Sequence, residues 1–173
     1  MILDGLLQFS GVNGDSPTAS GVSTNIIDLH LAGIPVLAAG QGARDMGIGD
    51  DPALKLLVQV TTAFAGLTSL AVALQGAPDN GAGAPGTFVT WWTGPAVLLA
   101  SLTAGARLYD MDMPRPPAGV PVPRFLQLLY TIAGTGSGGV IKAYIVLDRM
   151  DQMYNASDNA RMGGYPPGIV IQN

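Results

Sequence analysis

Residues 124–148 read RFLQLLYTIAGTGSGGVIKAYIVLD, and the two apolar runs on either side of the glycine-rich centre decide the fold. From Arg124 to Ala133 the side chains of Leu126, Leu128, Tyr130 and Ile132 share one face of an extended strand, because successive side chains point to opposite sides. From Val140 to Asp148 the same alternation puts Ile141, Ala143, Ile145 and Leu147 on one face. Lys142, Tyr144, Val146 and Asp148 take the other. A slip of one residue would bury Lys142 and Asp148, so the register is well specified. Gly134-Thr135-Gly136-Ser137-Gly138-Gly139 reads as a hairpin turn, since glycine accepts positive φ without steric cost.

The same period of two continues upstream. Leu54, Leu56, Val58 and Val60 share a face, as do Leu70, Val72 and Leu74, with Ser69, Ala71, Ala73 and Gln75 opposite. Ala63–Thr68 between these runs reads as a second hairpin connection. Further strands are predicted over Ser23–Leu29, Thr87–Trp92, Ala96–Ser101 and Ala106–Met113. Short strands joined by Gly and Pro turns predict an all-β protein, a jelly-roll-like antiparallel β-sandwich over residues 21–148. Residues 1–20 read as an N-terminal arm. Residues 149–173 read as a C-terminal extension whose Met150, Met153, Tyr154, Met162, Tyr165, Ile169, Val170 and Ile171 pack on their own domain or dock on a neighbouring subunit. Running into it, Asp148–Arg161 is predicted as a short helix.

Composition excludes several classes. The chain has no Glu and only two Lys, Lys55 and Lys142, which argues against a helical bundle with charged helix faces. A net charge of −4 gives no basic stripe for nucleic acid, so no nucleic-acid partner is expected. The uncharged stretches Leu56–Pro78 and Asn80–Ala106 are broken by polar residues, glycines and Pro85 and Pro95. Neither is the continuous apolar run of ~20 residues that a spanning helix needs, so no membrane partner is expected. No Lys or Arg precedes Arg44, so a secretory signal with a basic start is not expected either.

Candidate chemistry is thin. Gly134, Gly136 and Gly139 match a G-x-G-x-x-G pattern with Asp158 downstream, but the alternating, β-branched run after them reads as a strand where a dinucleotide site needs a helix. His30 is the only histidine and Cys is absent, which leaves no His cluster or thiolate set for a metal. A Ser-His-Asp triad would have to use His30, and no nucleophile elbow occurs. Asp50 and Asp51 share a loop, and Asp110 and Asp112 share a strand face. Such pairs serve acid–base work or Ca²⁺, but on a strand they also guard an edge. No catalytic residue, cofactor or metal is therefore assigned, and the chain is expected not to be an enzyme. Trp91-Trp92 is the main aromatic cluster. On a regular strand one of the two faces the core and the other is exposed or at an interface.

Taken in order, several stretches resemble the cement (decoration) proteins of tailed-bacteriophage capsids. These are Met1–Asp4, Ser23–Leu29, the Arg44-Asp45-Met46-Gly47-Ile48-Gly49-Asp50-Asp51 loop leading into the strand from Leu54, and the Arg124–Asp148 stretch, which together span most of residues 1–148. The resemblance implies a jelly roll that binds the outer surface of the major capsid shell of a virion and bridges capsomers. It carries over no catalytic residues. The expected partners are the major capsid protein and the chain itself, as a homodimer or homotrimer. Trp91, Trp92, Met153, Tyr154, Met162 and Tyr165 are the candidate interface residues. The runner-up is a carbohydrate- or receptor-binding sandwich of a tail or spike, stacking sugars on Trp91 or Trp92. A small enzyme using His30 or the Asp110 and Asp112 pair comes third.

Overall fold

The computed structural model describes residues 7–29, 54–120 and 123–147, with the backbone of two further short strands at 154–155 and 160–161. In chain order the strands are β1 (Gly21–Val22), β2 (Ile27–Asp28), β3 (Leu54–Ala77), β4 (Val89–Thr93), β5 (Val97–Leu98), β6 (Arg107–Asp112), β7 (Phe125–Leu147), β8 (Tyr154–Asn155) and β9 (Ala160–Arg161). The first seven form one open antiparallel sheet, so the chain is all-β as its alternation predicts.

Two strands dominate. β3 and β7 pair antiparallel along their whole length, from Leu54 opposite Leu147 to Ala77 opposite Phe125. A straight strand as long as β3 would span roughly 80 Å, far more than a domain of this size. The ribbon bends instead, through successive register shifts between Val60 and Ser69. Gly66, Gly134 and Gly139 adopt φ values of 81°, 85° and 119° there. The backbones approach closely at the bend. A Cβ on Gly66 would lie 2.7 Å from the Thr135 carbonyl oxygen, and one on Gly139 2.3 Å from the Phe64 ring.

Neither predicted hairpin forms. Ala63–Thr68 and Gly134–Gly139 are bends within continuous strands, and Ala65 and Leu67 stand opposite Gly138 and Gly134. The halves of each expected hairpin pair with the other long strand, not with each other. Alternation looks the same before a reversal and before a bend, and the glycines' freedom is used for the bend. Folding the ribbon places Leu56, Val58, Val60, Ile141, Ala143 and Ile145 in one core with Leu70, Val72, Leu74, Leu126, Leu128 and Tyr130. All of these side chains are buried and lie on the predicted faces, the Leu, Ile and Val among them each contributing ~1.5–3 kcal/mol by area. Leu57 and Val146, on the opposite pleat, are buried as well.

The remaining strands close the two flanks. β4 and β5 pair with the later half of β3, and β6 pairs with its first half. Along the other flank, β1 and β2 pair with β7. Residues 7–20, expected as a peripheral arm, belong to this flank. Phe9 is 0% exposed and its N–H donates to the Ala143 carbonyl at 2.9 Å, while Gln8 and Asp15 bridge to Tyr144 and Ile141. The segment then follows β7 down its length, with Ser16 Oγ donating to the Gly139 carbonyl and the Gly136 N–H to that of Thr18. A bare edge leaves backbone groups unpaired, and serine hydroxyls and loop carbonyls satisfy them where a regular ladder does not. In the tail, β8 pairs with β9, so strands stand where a short helix was predicted.

Candidate interaction surface

The Trp91-Trp92 pair sits on β4, and its geometry follows from a bulge. Leu74 stands opposite Trp92 and Gln75 opposite Thr90, which leaves Trp91 as the extra residue. A bulge suspends strict alternation and re-aims a side chain. The expected split, one ring in the core and one exposed, is accordingly not found. Both indoles are half-buried and pack against the edge of the core. The Trp91 ring lies across Gly76, where a Cβ would come within 2.2 Å of it, and its Nε1 is buried without a hydrogen-bond partner. Trp92 meets Tyr109 of β6 edge-on at 5.0 Å between centroids. Gly94 makes room for both rings, and the Tyr109 hydroxyl donates to the Pro95 carbonyl at 2.6 Å. Around this cluster the sequence from Asn80 to Ala106 carries no charge, and Val89 and Leu98 are 39% and 63% exposed.

The acidic pair on β6 serves no common centre. Asp112 accepts from Lys55 Nζ at 2.6 Å, directly across the ladder, and Asp110 lies 3.9 Å from Arg107. The G-x-G-x-x-G glycines fall inside β7, which runs on as a strand to Leu147 where a dinucleotide site needs a helix.

Two polar centres escaped the sequence reading. Arg124 forks onto Asp28, from Nε and Nη2 at 3.0 Å each, and its Nη1 reaches Asp79. The Gly81 amide, followed by that of Gly83 and the Arg124 guanidinium, holds the Asp79 carboxyl below its ordinary range; burial opposes them. The second centre is Asp15, 6% exposed, whose carboxylate accepts from Tyr130 Oη at 2.8 Å, Gly11 N at 2.9 Å and Thr24 N at 3.2 Å. Burial, and then the neighbouring Asp15 carboxylate, push the Tyr130 hydroxyl well above its usual range. A hollow of about 310 Å³ opens over this pair, between the 15–22 loop and Thr24. No local pattern joins residues 115 positions apart, so only the isolation of Asp15 in an otherwise uncharged segment marked it.

His30, Asp50, Asp51, Met153, Asp158, Met162 and Tyr165 lie outside the described residues, and Tyr154 is placed by its backbone in β8. The Bbp16 family model matches residues 12–145. No curated protein matches the chain.

Proposed function

The chain belongs to the Bbp16 family, and from its fold and surface we propose that it is a structural cement protein of a tailed-bacteriophage capsid, bound to the outside of the major capsid shell and bridging neighbouring capsomers. The observation that carries this reading is the segment from Asn80 to Ala106, which contains no charged residue and on which Val89 and Leu98 are exposed near the two half-buried indoles of the edge strand β4. Aromatic anchors with few charges around them are what the centre of a protein interface uses. A sandwich whose two layers share their longest strands is a stiff body for spanning a subunit boundary.

Packaged DNA pushes the shell outward, so a clamp across a boundary adds binding energy where separation begins. Each contact need be only modest, because a protein held at two points binds far more tightly than at one. Self-association as a symmetric dimer or trimer would set the two contacts at a fixed distance. The reading assigns the chain no reaction.

The test is co-sedimentation of the purified protein with major-capsid shells that lack it, followed by the temperature at which the shells rupture. Attachment with a raised rupture temperature is expected. Folded protein that neither attaches nor protects overturns the reading. Glycan binding that disappears in Trp91→Ala or Trp92→Ala would replace it with the carbohydrate-binding one.

A further inference from the structure

We propose that the hollow over Asp15 is a binding site for a cationic side chain, guanidinium or ammonium, presented by a partner protein. The partner's identity rests on the shell-binding reading above; the chemistry of the site rests on its own geometry.

Among the described aspartates, Asp28, Asp79, Asp110 and Asp112 each stand beside a cationic side chain. Asp15, the most buried of them, is held by uncharged donors: the Gly11 and Thr24 amides and the Tyr130 hydroxyl. Neutral dipoles orient a carboxylate and offset part of its desolvation, but they leave its net charge in place. They also leave capacity. A carboxylate offers about four acceptor positions. Oδ2 receives two of these three donors and Oδ1 one, which leaves one acceptor position on Oδ1 without a donor.

Asp15 itself lines the hollow. Ser16, Pro17, Thr18, Ala19, Gly21, Val22 and Thr24 wall the hollow, and none of them is cationic. Its volume of about 310 Å³ is at the lower end for ligand pockets and suits one side chain. No Lys or Arg occurs before Arg44, so no side chain of this segment supplies a guanidinium or ammonium. A guanidinium entering over Val22 and Pro17 would lay its apolar stem on their side chains and its head on a fixed carboxylate, a stronger contact than one neutral hydrogen bond.

The probe is methylguanidinium chloride, titrated into the full chain while amide shifts are followed, with sodium chloride at equal ionic strength as reference. Saturable shifts centred on Gly11, Asp15, Gly21 and Thr24 are expected, with the apparent Kd raised at least tenfold in Asp15→Asn. Because Asp15 also ties down its own loop, Ala19→Trp provides a second variant. It fills the exposed rim without touching the carboxylate, and is expected to keep the thermal midpoint and abolish the shifts. Shifts that fail to saturate, or persist with unchanged Kd in both variants, overturn the site. In a second arm, Ala19→Trp should weaken shell attachment at least tenfold. Full attachment by that variant overturns the partner side chain and leaves the shell role standing. An unaltered protein that binds methylguanidinium but no shell overturns the shell role alone.

Discussion

Arg124 holds Asp28 through two parallel hydrogen bonds of 3.0 Å, although the residues stand 96 positions apart in the chain. The same guanidinium reaches Asp79, just beyond the end of β3, so one side chain fastens β2, β3 and β7 at one end of the sandwich. Arg124→Lys keeps the charge but loses the planar fork, and is expected to lower the thermal midpoint, less than Arg124→Ala does. Scanning calorimetry of the three proteins checks the order.

Acid acts on the same clasp through Asp79. Its carboxyl titrates lower in the folded protein than in the unfolded chain. The stability it contributes is therefore complete above the ordinary carboxylate value of about 4 and is lost as pH falls through the folded value. Urea midpoints measured between pH 5 and 2 should decline, and Asp79→Asn should flatten that decline.

The bend in the ribbon makes a differential prediction at two adjacent glycines. Gly139 has φ of 119° and no room for a methyl group against Phe64, whereas a Cβ on Gly138 meets nothing within 4 Å. Gly139→Ala is expected to cost at least ~2 kcal/mol, from positive-φ strain and displacement of a buried ring. Gly138→Ala should fall within about 0.5 kcal/mol of the parent. Denaturant melts of both variants decide it.

At alkaline pH the pressure point moves to Tyr130. Its hydroxyl keeps its proton more tightly when folded, chiefly through burial. Stability should hold up to the unfolded value near pH 10 and fall as pH rises beyond it. Tyr130→Phe is expected to blunt that fall, and at neutral pH to cost about 1–3 kcal/mol because buried Asp15 loses a donor. Unfolding curves at pH 7 and pH 11 test both halves.

On the surface, Leu98 is 63% exposed within the uncharged segment Asn80–Ala106. Leu98→Asp should leave the melting temperature nearly unchanged while reducing shell attachment severalfold, read by co-sedimentation.

The inward faces were legible because burial and alternation are the same signal. Leu56, Val58, Leu126, Leu128 and Ile145 are all where a period of two puts them. Connectivity was not legible. The runs flanking Gly66 and Gly134–Gly139 look identical whether the chain reverses or merely bends, and only pairing between distant segments distinguishes the two. Residues 7–20 depart from the expected arm for a related reason. Their Gly, Asn, Ser and Pro residues suggest a loose arm, yet Phe9 is buried, the Ser10 hydroxyl accepts from the Ala143 amide and the Ser16 hydroxyl donates to the Gly139 carbonyl. Trp91 and Trp92 departed from the rule of opposite faces because the bulge depends on the partner strand's register, which β4 alone does not encode.

Because β3 and β7 each run through both layers, the sandwich has no seam. Tension applied to one layer passes into the other along covalent backbone, whereas two separately formed sheets would transmit it only through interdigitated side chains. Pulling the ends of this ribbon lengthwise would shear many inter-strand bonds together instead of unzipping them one at a time, a mode of failure that resists stretching.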